Sequence, residues 1–133
     1  MSDQVIREIE NLEKLHRFRP AQEADVAAAE KALALRFAED YRNYLLHFGT
    51  VLAQGIALTG LGGIKRLDVV QQTLQQRSMR KDFPTDMYVL EDIGVDGIIF
   101  LQREDGTVYG LRPGGSPQKT ADSLCHYLRL AKG

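Results

Sequence analysis

A thiol and an imidazole stand next to each other near the end of the chain, at Cys125 and His126. A cysteine activated by an imidazole is a common nucleophile in covalent catalysis. The apolar residues around this pair are spaced as on a helix, where adjacent side chains point about 100° apart and do not face each other. We therefore interpret Cys125 as a structural residue. It is the only cysteine, so the chain has no partner for a disulfide or a metal-binding thiol pair.

Metal ligands are equally sparse in the sequence. His16, His47 and His126 fall on three separate predicted helices, and none has a second ligand one helical turn away. Asp92 and Asp96 lie in a glycine-containing segment, but two carboxylates are too few for a calcium loop. No segment has the sequence of a nucleophile elbow. We expect no metal, no cofactor and no enzymatic activity.

Two features suggest phosphate binding, and neither is complete. The run GLGG at residues 60–63 lacks the lysine and hydroxyl residue of a phosphate-binding loop, so we expect turns there. A cluster of basic residues between positions 63 and 81 has no interleaved aromatic residues and no recognised motif. Its members are Lys65, Arg66, Arg77, Arg80 and Lys81. We expect no nucleic-acid partner.

Charge is distributed unevenly along a chain whose net charge is −1. Residues 63–81 contain five basic side chains and one acidic side chain, whereas residues 82–105 contain seven acidic side chains and one basic side chain. Two interpretations are open. Either both segments are solvated faces that differ in sign, or the acidic segment meets a basic partner.

One stretch, residues 35–49, organises the predicted fold. Its residues Tyr41, Tyr44, Leu45 and Phe48 stand at i, i+3, i+4 and i+7, the spacing of one helical face. A helix that buries these side chains needs a large apolar surface to pack against. Further helices are predicted at about residues 3–16, 20–33, 68–83 and 124–131.

The second half of the chain predicts strands. The segment GIIFL at residues 97–101 is apolar on both faces, as in a central strand. The pair Asp105-Gly106 predicts a type I′ hairpin to the next strand, and shorter strands are expected at residues 56–58 and 87–93. The fold class is therefore α+β, with helices packed on a mostly antiparallel sheet of about five or six strands.

Length and composition indicate one domain over residues 1–133, since 44% hydrophobic and 26% charged residues are ordinary for a globular protein. No run approaches the roughly 18 apolar residues that span a bilayer. The acidic N-terminal segment does not have the pattern of a secretory signal. We expect a cytoplasmic protein without a membrane partner.

The order of these segments resembles the SUKH superfamily, the Smi/Knr-like proteins. A helix ending in EKALAL leads through a short linker into AEDYRNYLLHFG, and an acidic turn, a strand and an Asp-Gly hairpin follow. The matching residues of the first part are Glu30, Leu33, Leu35, Phe37, Glu39, Asp40, Tyr41, Tyr44, Leu45 and Gly49. Ala38 stands where the family usually has proline, and the chain has no tryptophan in its last strands. The resemblance covers roughly residues 20–130.

The resemblance implies recognition without chemistry. Many bacterial members are immunity proteins that bind and neutralise a cognate toxin, often a nuclease or a deaminase. Relatives in eukaryotes are interaction modules of regulatory complexes. For this chain the resemblance implies a protein toxin as the partner, and the alternative is a scaffold module without a toxin.

Carboxylates can take the place of phosphates on the basic surface of a nuclease and speed its capture. We therefore expect the binding patch in the acidic strand region, with two tyrosines as aromatic anchors. Its residues are Tyr88, Asp92, Asp96, Glu104, Asp105 and Tyr109. The competing interpretation places Tyr88 and Tyr109 in the core.

Overall fold

This computed structural model describes residues 3–132, which form helices and antiparallel strands joined by loops. The helices are α1 (Asp3–Glu10), α2 (Glu23–Leu33), α3 (Glu39–Phe48), α4 (Val69–Met79) and α5 (Leu124–Lys132), with a short 3-10 helix at Lys65–Leu67. The strands are β1 (His16–Arg17), β2 (Val51–Ala53), β3 (Ile56–Leu58), β4 (Met87–Asp92), β5 (Ile99–Arg103), β6 (Val108–Leu111) and β7 (Gln118–Ala121).

The strands form two antiparallel sheets, with the orders β1-β2-β3 and β4-β5-β6-β7. The end of β3 meets β4, where the Thr59 amide donates to the Leu90 carbonyl at 2.9 Å. The α+β class is confirmed. Instead of one sheet of five or six strands, however, the described residues form seven strands in two adjoining sheets. Strands β1, β2 and β7 are the ones whose positions the sequence did not predict.

Helix α3 packs into the main core along the face that its sequence predicted. Tyr41, Tyr44, Leu45 and Phe48 are all fully buried. The two tyrosine hydroxyls keep hydrogen-bond partners there, since Tyr41 pairs with the Thr59 hydroxyl at 2.8 Å and Tyr44 donates to the Thr59 carbonyl at 2.7 Å. Burial of these polar groups is thereby compensated, because each hydroxyl exchanges water for a protein partner.

The helix ends differ from those predicted. Helix α1 ends at Glu10 rather than near residue 16, and Lys14 takes a positive φ of 56° in the turn that follows. His16 therefore lies in β1 and not on a helix. Helices α2 and α5 begin and end within three residues of the expected positions, whereas α4 ends at Met79 rather than near residue 83. Asp68 accepts a hydrogen bond from the Gln71 amide as the N-cap of α4.

The four-stranded sheet separates two buried clusters. Tyr88, Leu90 and Val108 belong to the larger cluster, which also holds α3. Val89 and Leu101 belong to the smaller cluster on the opposite face, together with Phe83 from the loop after α4. Side chains alternate between the two faces along β4 and β5, as strand geometry requires. Most side chains of β4 and β5 are therefore buried, whereas Gln118 and Lys119 of β7 are exposed.

Candidate protein-binding surface

The predicted acidic residues lie at opposite ends of the four-stranded sheet. Strands β4 and β5 pair so that Asp92 lies opposite Ile99 and Met87 lies opposite Arg103. The β4–β5 loop, with Asp96, is at one end, and the β5–β6 turn, with Glu104 and Asp105, is at the other. A strand rises about 3.4 Å per residue, so roughly 14 Å of sheet separates the two ends. The structure therefore does not bring the four carboxylates into one patch.

The structure places Tyr88 in the core and not on the surface. Its side chain is fully buried, and its hydroxyl donates to the Gln102 side chain at 2.6 Å and accepts from the Ala38 amide at 3.0 Å. Burial also raises the pKa of this phenol well above its usual value. A partner that docks on the folded domain cannot reach Tyr88, so its expected role as an anchor does not fit the structure.

Tyr109 is half-buried at the border of the smaller cluster. The Arg103 guanidinium lies over its ring, 5.2 Å from the centroid, in a cation–π arrangement. Arg103 also donates to the Asp105 carboxylate at 3.0 Å. Of the two predicted aromatic anchors, Tyr109 is thus the one that remains accessible, and it is linked through Arg103 to the β5–β6 turn.

Four residues, 104–107, lie between β5 and β6, and the turn is not a type I′ hairpin. The Arg103 amide donates to the Thr107 carbonyl at 3.1 Å, so residues 104–106 form the loop. Within it only Gly106 has a positive φ, 96°, and its amide donates to the Arg103 carbonyl at 2.8 Å. The Asp105 carboxylate accepts the Thr107 amide at 3.0 Å. This bond and the Arg103 pair lower the pKa of Asp105 to about 2. Glu104 and Asp105 are both exposed on this turn.

An acidic cleft of about 370 Å³ opens beside the turn, between the N-terminal ends of α3 and α5. Carboxylates from three separate parts of the chain line it, and none of its lining residues is basic. These carboxylates belong to Glu39, Asp40, Glu104, Asp105 and Asp122. The cleft therefore presents one sign of charge in a concave site, an arrangement that concentrates electrostatic potential.

Asp40 holds the walls of the cleft together. Its carboxylate accepts the Leu124 amide at the start of α5 at 2.8 Å and the Gln102 side-chain amide at 3.1 Å. Gln102 in turn donates to the Gly106 carbonyl at 3.0 Å, which fixes the turn. Burial is the main influence on the Asp40 carboxyl and raises its pKa. We therefore regard Asp40 as a structural link rather than as the main contact for a partner.

The other carboxylates differ in how far they are neutralised. Asp122 pairs with Lys119 at 2.7 Å, which lowers its pKa, and Asp105 pairs with Arg103. Within the described part of the chain, Glu39 and Glu104 have no recorded partner and are exposed. These two glutamates carry the charge that is most available to a ligand in the cleft.

Sequence reasoning found Glu104 and Asp105 but missed the rest of the cleft. Glu39 and Asp40 were interpreted only as favourable charges in the first turn of α3. Asp122 comes just before α5 and also has the position of a helix-start residue. Glu39 and Asp40 come directly before the aromatic residues of α3, and Glu104 and Asp105 lie in the β5–β6 turn. No local sequence pattern shows that these two acidic pairs face each other.

The cysteine and histidine pair is not arranged for catalysis. Cys125 is buried against α1, where its thiol lies 4.0 Å from the Gln4 carbonyl oxygen, and burial raises its pKa. The His126 ring instead accepts the Asp122 amide through Nδ1 at 3.0 Å. Among residues 3–132, no three histidine, cysteine or acidic side chains are placed to hold a metal ion. None of the helices described is long and apolar enough to cross a bilayer.

Comparison with known proteins identifies the family of the chain. No curated protein matches it. A family model described as SMI1-KNR4 cell-wall, SUKH_5, matches residues 2–131, which is nearly the whole chain. The predicted SUKH resemblance is thereby confirmed over α1 to α5. This chain belongs to the SUKH (SMI1-KNR4) family.

Proposed function

We propose that this chain is a non-catalytic binding domain that captures a cognate protein toxin and neutralises it by covering its active site. Family membership supports a domain of the immunity-protein type. The observation that carries the proposal further is the acidic cleft, in which carboxylates from three elements face one cavity without a basic residue among its lining. The proposed site of action is the cytoplasm.

The chemistry of the cleft favours a basic partner. A nuclease or a nucleic-acid deaminase presents lysine and arginine side chains that normally bind phosphates, and Glu39 and Glu104 offer charge of the opposite sign. Attraction between the two surfaces accelerates their encounter. Occlusion then follows from docking, since a domain seated on the basic groove excludes the substrate.

The proposed docking surface retains two of the predicted residues. Glu104 and Asp105 line the cleft, whereas Tyr109 packs at the smaller cluster on the opposite face of the sheet and is linked to Asp105 through Arg103. Asp92 and Asp96 lie at the far end of the sheet, where a partner in the cleft does not contact them. Charge-reversal variants at each end of the sheet therefore show whether a partner binds in the cleft or at Asp92 and Asp96.

The test is protection of cells that express the toxin domain encoded beside the gene for this chain. We expect the wild-type chain to restore growth and the double variant Glu39→Lys/Glu104→Lys to lose protection while remaining folded and expressed. The matched control is Asp92→Lys/Asp96→Lys, which carries the same charge change and should protect. Growth unchanged by the wild-type chain would contradict the immunity function and favour the alternative, a scaffold module without a toxin.

A further inference from the structure

The end of the sheet away from the acidic cleft exposes apolar side chains in an ordered setting. Met79, Ile93 and Val95 are 64%, 41% and 54% exposed, and they account for three of the five large apolar side chains described as exposed. Met79 ends α4, whereas Ile93 and Val95 lie in the β4–β5 loop. Arg80, next to Met79, bonds to Gly97 in this loop, so the two segments are neighbours. Apolar side chains exposed on neighbouring surface segments commonly mark an interaction site.

Hydrogen bonds join the segments that carry these side chains. The Arg80 guanidinium donates to the Gly97 carbonyl at 3.2 Å and to the Arg112 carbonyl at 3.3 Å, so it bridges the β4–β5 and β6–β7 loops. The loops also touch directly, because a Cβ atom added to Gly97 would lie 2.8 Å from Pro113 Cγ. The apolar side chains are therefore presented by a preformed surface, and little ordering is required before it binds.

This surface combines a projection with a hollow. The projection is the tip of the β4–β5 loop, with Val95 exposed beside Asp96. The hollow, about 660 Å³, lies between the end of α4 and the β6–β7 loop and is lined by Met79, Phe83 and Leu111. Two basic residues and one acidic residue, Asp82, complete its charged lining. The projection is thus apolar and acidic, whereas the hollow is apolar and offers Lys81, since the Arg80 guanidinium is bonded to the Gly97 and Arg112 carbonyls.

We propose that this surface, made of the β4–β5 loop tip and the hollow beside α4, binds a second copy of the chain. In a two-fold dimer every contact occurs twice, so the surface of one copy must complement itself. Here Val95 of each copy enters the hollow of the other, and Asp96 meets Lys81. In the described residues, neither Asp96 nor Lys81 is recorded in an ion pair, so both remain available across the interface. This charge complementarity favours a second copy over a uniformly basic partner.

The first experiment is sedimentation velocity of the purified chain from micromolar to millimolar concentration, with no toxin present. The wild-type chain should form dimers as the concentration rises. Val95→Asp should raise the dimer dissociation constant about tenfold or more, because it places an unpaired charge in the apolar hollow. The matched control, Leu130→Asp, alters a side chain that is 52% exposed on α5 and should leave the constant unchanged.

The charge pair is tested by exchange of its two residues. Lys81→Asp and Asp96→Lys should each weaken the dimer, and the double variant should restore it to within about threefold of wild type, as expected for two coupled residues. If Asp96→Lys does not fold, Lys81→Asp alone still tests the pair, because Lys81 lies outside the helices and strands. A chain that stays monomeric at all concentrations, or a dimer that is indifferent to Val95→Asp, would overturn the proposal. Because the measurement uses the chain alone, neither result bears on toxin capture.

Discussion

Individual polar side chains in the core of this domain work as connectors, and Tyr88 is the clearest example. Its hydroxyl accepts the Ala38 amide, just before α3, and donates to Gln102, which contacts both Asp40 and the β5–β6 turn. A residue that was expected to contact a partner thus lies beneath the proposed binding surface. It helps to hold the β5–β6 turn and the start of α3 in position.

Replacement of Tyr88 by phenylalanine should destabilise the domain without abolishing recognition. The change leaves the buried Ala38 amide without its acceptor, so the free energy of unfolding should fall by about 1–3 kcal/mol. Urea denaturation followed by circular dichroism measures this loss. Tyr109→Phe is the control, because no hydrogen bond of its hydroxyl is recorded in the described structure, and it should change stability little. Equal losses for the two variants would contradict the connector role.

Glu91 should give the domain a measurable pH dependence. Its carboxylate is buried, accepts the Ala57 amide at 2.8 Å and the Tyr127 hydroxyl, and its pKa is raised by burial. The folded state therefore holds the proton more tightly than the unfolded chain. The contribution of this group to stability is fully present below its ordinary pKa and is lost as the pH rises through the raised value.

The measurement is the difference in unfolding free energy between wild type and Glu91→Gln at several pH values. The glutamine does not titrate, so wild type should lose stability relative to the variant as the pH rises above about 4, the ordinary pKa of a glutamate. Asp105→Asn is the control: the pKa of this exposed carboxylate is lowered to about 2, so its difference should change only below about pH 4 and stay flat above it. A difference that moves in the opposite direction would show that ionised Glu91 is favoured in the fold.

Helices and strands were predictable where their signals are local. The face of α3, the apolar strand β5 and the turn at Asp105 were each found within a dozen residues of sequence. Strand β1 has only two exposed residues and β7 reads QKTA, so neither has the apolar alternation that marks a strand. Their pairing is determined by neighbouring strands and not by their own composition.

The acidic cleft could not be predicted, because its parts meet only through long-range contacts. Asp40 bonds to Leu124, which is 84 residues away in the sequence, and to Gln102, which is 62 residues away. Each acidic segment has a sufficient local explanation as a helix start or a turn. Conversely, the acidic stretch of residues 82–105 suggested one patch, but its two ends are separated by the length of a strand pair.

The N-cap of α4 allows a test of how much one local hydrogen bond stabilises a helix. Asp68 accepts the Gln71 amide at 2.9 Å, so Asp68→Ala should lower the free energy of unfolding by about 1 kcal/mol through loss of the cap. Gln75→Ala, at an exposed position in the same helix, is the control and should have little effect. Thermal or urea unfolding measures both. An uncapped variant as stable as wild type would mean that tertiary packing alone determines where α4 begins.

The two proposed binding surfaces lie at opposite ends of the four-stranded sheet. The acidic cleft lies at the end formed by the β5–β6 turn and the starts of α3 and α5. The projection and hollow lie at the other end, formed by the loops that Arg80 bridges. A dimer joined through the second end would leave both acidic clefts open. Each protomer could then hold one toxin molecule.

The association rate of the toxin domain with this chain tests the central claim most directly. Measured by stopped flow at low and at high salt, the rate should fall at least about tenfold in Glu39→Lys/Glu104→Lys at low salt, because steering by the cleft is reversed. High salt should reduce the gap, and Asp92→Lys/Asp96→Lys should stay close to wild type. A loss of rate confined to Asp92→Lys/Asp96→Lys would contradict the cleft and return the binding surface to the β4–β5 loop.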